Sequence, residues 1–255
     1  IFETHAHYED KAFDEDREEL LASLPKNGIE YVVNVGSDAE TLDKILEIAD
    51  EYPFCYAAVS IHPGNTHKMD EEGLAWLKQK ATHKKVVAIG EIGLDYYWDE
   101  PDRETQQKWF IRQMELAKEL KLPLIIHSRD AANDSYRLMK DCHAEELGAI
   151  IHCFGYGVEQ ARQYLNMGFY LGIGGVVTFT NGRKLKEVVE FAPLEQLVLE
   201  TDCPYLAPVP HRGKRNSSLY LTYVAKEIAN IKNIPYEKVL EVTSNNAKNF
   251  YNIGK

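Results

Sequence analysis

Short, nearly continuous apolar runs recur along the chain, separated by longer stretches with helical periodicity. The runs are Ile1–Glu3, Tyr31–Val35, Cys55–Ile61, Val86–Ile89, Leu124–Ile126, Ala149–Ile151, Tyr170–Ile173 and Leu197–Leu199. Apolar runs without strict alternation are the form expected of parallel strands covered on both faces. Between them, Leu42, Ile45, Leu46 and Ala49 fall at i, i+3, i+4 and i+7, as do Leu221, Val224, Ala225 and Ile228, each marking one apolar helix face. Phe110, Met114, Ala117 and Leu120 make a comparable stripe, and Pro235 suits the first turn of a closing helix. Eight strands, each followed by a helix, predict an α/β fold, a (β/α)8 TIM barrel, with residues 1–255 as a single domain. A doubly wound open sheet shares this alternation and differs only in whether the sheet closes. No Ser/Pro-rich linker, repeat or low-complexity tract divides the chain.

The chemistry-bearing residues sit where these runs end. The first run leads into His5-Ala6-His7, and in extended backbone residues i and i+2 point to the same side, so the two imidazoles converge. Alone, such a pair is as readily a hydrogen-bonded or solvated one. The fourth run ends in Gly90-Glu91-Ile92-Gly93-Leu94-Asp95, the fifth in His127-Ser128-Arg129-Asp130, the sixth in His152-Cys153-Phe154 and the eighth in Glu200-Thr201-Asp202. In a barrel these ends share one mouth. His5, His7, Glu91, His127, His152 and Asp202 therefore read as metal ligands. Six are too many for one catalytic zinc and suit two divalent ions about 3.5–4 Å apart. Glu91 is the expected bridge, with His5, His7 and Asp202 on one ion and His127 and His152 on the other. Ligand type suits Zn²⁺ or Mn²⁺ better than Mg²⁺.

Composition narrows the partners. The chain has 255 residues, 44% hydrophobic and 27% charged, the balance of a globular protein. The excess of 40 Asp+Glu over 29 Lys+Arg gives a net charge of −11. That excludes a broad basic groove along a long duplex, yet leaves room for a few nucleotides held by two ions and one basic loop. Cys55, Cys142, Cys153 and Cys203 are scattered without a C-x-x-C pair, which predicts free thiols and a reducing, cytoplasmic location. No apolar run approaches the roughly 18 residues of a membrane span, and the first residues lack the pattern of a signal peptide. A start without Met suggests processing.

Several long motifs in order, covering essentially the whole chain, resemble the TatD family of metal-dependent deoxyribonucleases. They are E-T-H-A-H (3–7), S-I-H-P (60–63), G-E-I-G-L-D-Y-Y (90–97), H-S-R-D-A (127–131), H-C-F (152–154), G-G-V-V-T-F (174–179), L-E-T-D-C-P-Y-L-A-P (199–208) and H-R-G-K-R-N (211–216). The resemblance implies a TIM barrel, a divalent-metal centre (commonly associated with Mg²⁺), hydrolysis of DNA phosphodiesters, and the same six ligands. Three positions depart from the family pattern. Glu3 stands for the usual Asp, Gly64 for the usual His after His62-Pro63, and Asn216-Ser217-Ser218 for Asn-Glu-Pro. Ser217 or Ser218 can cap a helix from Leu219 onward.

The expected reaction uses a water acidified by metal, its pKa lowered from 15.7 toward about 7. Asp202, Glu91 and Glu200 are the catalytic candidates, with Asp202 as ligand and proton acceptor. Glu200, two residues earlier, either orients Asp202 or a water, or is an ordinary salt-bridged carboxylate. His62 and Arg129 at strand ends, and Arg212, Lys214 and Arg215 in the basic loop after strand eight, are candidate phosphate contacts; a short basic run is otherwise solvated surface. Tyr96, Tyr97 and Trp98 could stack on bases or simply pack. Gly172-Ile173-Gly174-Gly175 lacks dinucleotide-fingerprint spacing and reads as tight packing. The expected partner is DNA, single-stranded or end-containing, with no membrane partner. Two competing readings are an amidohydrolase or lactonase on a related metal barrel, whose relatives commonly carry a carbamylated lysine where Glu91 stands, and a silent metal- or nucleic-acid-binding protein.

Overall fold

The computed structural model describes residues 1–98 and 100–254. Eight parallel strands run in the order of the chain: β1 (Phe2–Ala6), β2 (Tyr31–Val35), β3 (Cys55–Val59), β4 (Val86–Asp95), β5 (Leu124–Arg129), β6 (Ala149–Ile151), β7 (Tyr170–Ile173) and β8 (Leu197–Leu199). The sheet closes where β1 meets the segment after β8. There the Asp202 N–H donates to His5 O at 2.9 Å and the His7 N–H to Cys203 O at 2.9 Å. This closure decides for the barrel and against the open sheet. Helices α1 (Arg17–Ser23), α2 (Ala39–Glu51), α3 (Glu71–Ala81), α4 (Arg103–Leu120), α5 (Ala132–Asp141), α6 (Val158–Asn166), α7 (Arg183–Phe191), α8 (Leu221–Lys232) and α9 (Tyr236–Tyr251) lie between and after the strands. Among the described residues no helix is long and apolar enough to cross a membrane.

The expected helix stripes are the buried faces. Leu42, Ile45 and Ala49 of α2 and Leu221, Val224, Ala225 and Ile228 of α8 pack into the layer between helices and sheet. A separate cluster fills the barrel lumen: Phe2, Val33, Val35, Ala58, Ala88, Ile125, Ile150 and Val198, closed at one end by Ala247 and Tyr251 of α9. Inward side chains of alternate type thus make an apolar plug below and leave the mouth above it for polar residues.

Strand ends differ from the sequence reading in an instructive way. β1, β4 and β5 continue past the last apolar residue, through His5, Glu91–Asp95 and His127–Arg129. Gly93, Leu94 and Asp95 pair with His127, Ser128 and Arg129, so backbone hydrogen bonds, not side-chain hydrophobicity, carry these strands to the mouth. Register irregularities lie between Glu3 and Ala6 and between Ile89 and Ile92. Each shift re-aims the side chains that follow it. Pro235 is the N-cap of α9 rather than its first residue. Neither Ser217 nor Ser218 caps a helix: Ser217 makes no side-chain cap bond, a 3-10 turn spans Ser218–Tyr220, and α8 begins at Leu221. The Ser218 hydroxyl instead donates to Glu3 Oε2 at 2.9 Å. All four cysteines are free.

Candidate metal centre

Above the lumen plug, β1, β4, β5, β6 and the end of β8 direct six side chains to one point. Glu91 Oε2 lies 3.3 Å from His127 Nδ1, 3.6 Å from His152 Nε2 and 3.9 Å from His5 Nε2. Asp202 Oδ1 lies 3.3 Å from His7 Nε2, 3.8 Å from His5 Nε2 and 3.9 Å from His152 Nε2. Two groupings stand out, His5–His7–Asp202 and Glu91–His127–His152, each with ligand atoms within 4.8 Å of one another. They coincide with the division expected from strand order. Asp202 has φ +56, the left-handed region that Asp tolerates better than most residues.

The donor set fits divalent cations. Glu91 Oε2 is buried and has no hydrogen-bond partner among the described residues, although nitrogens of three histidines surround it. His5 Nε2 and His7 Nε2 face each other at 3.2 Å, two ring nitrogens converging where a cation would take both lone pairs.

Three of the four histidines have a carboxylate at the far ring nitrogen. Glu9 Oε1 is 3.2 Å from His7 Nδ1, Asp95 Oδ2 is 3.1 Å from His127 Nε2, and Glu200 Oε1 is 3.2 Å from His152 Nδ1. The contacts to His7 and His127 are hydrogen bonds, the kind of outer contact that sets the tautomer and turns the other nitrogen toward a metal; Glu200 meets His152 as a close ion pair. Glu9 is itself held by Asn34, whose Nδ2 donates to Glu9 Oε2 at 2.9 Å. Glu9, Asn34 and Asp95 were not assigned roles from sequence. The legible signals were Asp95 at a strand end and Glu9 two residues after His7. Of the two readings of Glu200 the contacts match the salt-bridged one: it is buried against His152 and accepts the Cys153 N–H at 2.5 Å, facing His152 rather than Asp202. β7 leaves it space at Gly172, where a Cβ would lie 2.1 Å from Glu200 Oε2. That is the packing reason for the glycine.

Electrostatics follow from these contacts. Burial alone would lower the His127 and His152 pKa values. Asp95 and Glu91 outweigh it at His127, and Glu200 and Glu91 at His152, raising each to about 9. Burial would likewise push Glu91 up, but the surrounding histidines hold it well below the carboxylate range. His62 goes the other way: burial lowers it to about 4, leaving it neutral. Its Nδ1 accepts the Gly64 N–H at 3.0 Å, so the proton sits on Nε2, which faces Glu91 Oε1 at 4.0 Å. Glu3, fully buried, is raised to about 8 by desolvation, against hydrogen bonds from Thr201, His5 and Ser218.

A pH dependence with a definite sign results. Raised pKa values at His127, His152 and Glu3 stabilise the metal-free fold below their unfolded pKa values, and that contribution is lost as pH rises toward 8–9. A metal must displace the histidine protons, so its binding strengthens over the same interval. Thermal unfolding with and without Zn²⁺ should show a larger metal-induced rise in Tm at pH 8.5 than at pH 6. An equal or smaller rise at pH 8.5 would refute the assignment.

The basic loop departs from expectation. Arg215 donates to Asp16 Oδ1 at 2.7 Å, Asp16 Oδ2 at 2.6 Å and Ala12 O at 2.7 Å, so its guanidinium fastens the loop to the start of α1 instead of meeting phosphate. Arg212 lies over the Phe179 ring at 4.3 Å. Neither they nor Lys214 line the cavities at the mouth. One acid of the β1–α1 segment, Asp16, pairs with Arg215, a contact with no local sequence signal. Arg129 does line the mouth, over the Tyr97 ring at 3.9 Å. Tyr96 is committed elsewhere, its hydroxyl donating to Asp134 at 2.8 Å.

Two cavities open above the ligands. One, about 420 Å³, lies on the β1–β3 side and is lined by His7, Glu9, Asp10, Asp38, His62 and Asn65 among others. The second, about 440 Å³, lies on the β5–β6 side with Arg129, Tyr156, Tyr205 and Leu206. His127, His152, Asp202 and Tyr205 border both. With this geometry in place, the family of TatD related DNases matches residues 2–252. The chain belongs to the TatD family. It is 46% identical over 253 residues to the uncharacterized metal-dependent hydrolase YabD of Bacillus subtilis, covering 99% of each chain. The structure of YjjV, a TatD homolog from Escherichia coli, superposes with a TM-score of 0.94 at 30% identity, covering 100% of this chain and 98% of that one. A TatD family hydrolase from Entamoeba histolytica gives 0.89 at 25% identity, covering 98% and 97%. This TatD protein is a metal-dependent hydrolase built on a (β/α)8 barrel.

Proposed function

We propose that this TatD protein hydrolyses phosphodiester bonds of DNA, using two divalent ions held by His5, His7, Glu91, His127, His152 and Asp202. The observation that carries this reading is the convergence of Glu91 and Asp202 with four histidines beneath an open mouth that also presents Arg129. The ions would supply charge neutralisation at phosphorus and a water acidic enough to attack near neutral pH.

The chain's own residues divide the remaining work. Asp202, whose side chain is 19% exposed against 8% for Glu91, reaches solvent and is placed to accept the proton of the attacking water. Glu91, one of the second grouping, also reaches His5 of the first at 3.9 Å and so ties the two together. Glu9, Asp95 and Glu200 fix the imidazoles at their far nitrogens. Neutral His62 offers an Nε2–H donor to a phosphoryl or leaving oxygen. Arg129 presents a guanidinium to phosphate, with no acidic partner within ion-pair distance among the described residues.

The test is a cleavage panel of single-stranded DNA, double-stranded DNA and RNA with Mg²⁺, Mn²⁺ or chelator, alongside small ester and lactone substrates. Metal-dependent cleavage of DNA, abolished by chelator, is expected. Turnover of the small esters with no nucleic acid cut would replace this reading with a lactonase-type one. Metal binding with no turnover at all would leave a binding protein.

A further inference from the structure

The two cavities at the mouth are of similar size and opposite character. The one on the β1–β3 side adds Glu9, Asp10 and Asp38 to the ligand carboxylates and is lined by no lysine or arginine. The one on the β5–β6 side has Arg129, a single further acid in Asp130, and the apolar surfaces of Tyr156 and Leu206, with Tyr205 standing between the two cavities. The first is therefore the more repulsive to a phosphodiester chain, and the second is the one that offers it a cation. We infer that the β5–β6 cavity is a nucleobase slot, in which Tyr205, Leu206 and the Arg129 guanidinium backed by Tyr97 hold the base of a nucleotide whose phosphate lies at the metal centre.

Four observations support it. Tyr205, 55% exposed, and Leu206, 38% exposed, are among the largest apolar side chains left open to solvent, and both line this cavity. The Tyr205 hydroxyl donates to Asp10 Oδ2 at 3.1 Å, which fixes the ring before anything binds and lowers the entropy lost on stacking. The Arg129 guanidinium carbon lies over the Tyr97 ring, 3.9 Å from its centroid, and Trp98 meets Tyr97 edge-on at 4.9 Å. The pair thus presents a guanidinium plane backed by aromatic rings, the surface on which bases stack. Finally, about 440 Å³ is the size of a small-ligand pocket, room for one nucleotide and not for a duplex. Tyr97 and Trp98 therefore matter through Arg129, which links them to the cavity.

The inference rests on the nuclease reading for its choice of ligand, and a binding experiment separates the two. The metal-loaded full chain is titrated calorimetrically with deoxyadenosine monophosphate, 2-deoxyribose 5-phosphate and inorganic phosphate. The nucleotide should bind about ten-fold tighter than the sugar phosphate, the lower range of a single stacking contact. Tyr205→Ala should shrink that ratio several-fold while leaving phosphate affinity unchanged, and Tyr97→Ala, which unseats Arg129, should shrink it as well. Fluorescence of Trp98, 60% exposed, should change with the nucleotide and not with the sugar phosphate. Equal affinity for nucleotide and sugar phosphate, or a ratio untouched by both substitutions, overturns the slot. Base-dependent binding without nucleic-acid cleavage would keep the slot and remove the nuclease. Cleavage without base-dependent binding would do the reverse.

Discussion

Asp202→Asn is expected to lower kcat for the proposed DNA hydrolysis by roughly 10²–10³-fold, the scale of a single preorganised electrostatic element, while Tm moves by less than about 2 °C. The side chain and the backbone of Asp202 do separate jobs. Its Oδ1 faces His7, His5 and His152 at 3.3–3.9 Å. An amide there removes a negative donor and, in the proposed reaction, the proton acceptor. Barrel closure, by contrast, uses the main chain: the Asp202 N–H donates to His5 O and Asp202 O accepts from the Tyr205 N–H, each at 2.9 Å. Asn adopts φ +56 as readily as Asp does, so the turn survives. Steady-state kinetics, calorimetric metal binding and thermal unfolding on one preparation check the three parts. Near-normal kcat would take Asp202 out of the reaction; a collapse in Tm would make its role structural.

Gly93→Ala should destabilise the barrel by roughly 3–5 kcal/mol, among the larger single-residue effects, which for a chain of this length lowers Tm by roughly 10 °C. Gly93 has φ +143, which an L side chain rarely adopts, and a Cβ there would lie 1.9 Å from the His127 carbonyl oxygen. The collision is with backbone, so no rotamer change relieves it. Gly93 also pairs with His127 across β4 and β5, and the same displacement should pull His127 away from Glu91. Metal affinity in whatever folds should therefore fall together with stability. A Tm within about 2 °C of the parent chain, measured by thermal unfolding without metal, would contradict this account of the β4–β5 contact.

How much of this was legible in the sequence depended on how far each interaction reaches. The apolar runs and helix stripes are local patterns, and they located all eight strands and the buried faces of α2 and α8. His5 and His7, and the residues following the other runs, were legible as a cluster because parallel strands of a barrel end at one mouth. The continuation of β4 to Asp95 was not, because Gly90-Glu91 breaks the apolar run while the ladder to β5 goes on. Arg215 looked like a phosphate ligand until Asp16, 199 residues away in sequence, was found beside it.

By itself, then, the sequence determined the alternation of elements, the family motifs and the identity of the converging donors, since these depend on periodicity and on residue type at strand ends. Tertiary structure decided closure of the sheet, the carboxylate behind each of His7, His127 and His152, the use of Glu200 on His152 rather than Asp202, and the contrast between an acidic and an aromatic cavity. Those features arise from contacts between segments brought together only when the barrel forms, at distances of 3–4 Å where charge and hydrogen bonding act. No periodicity records them.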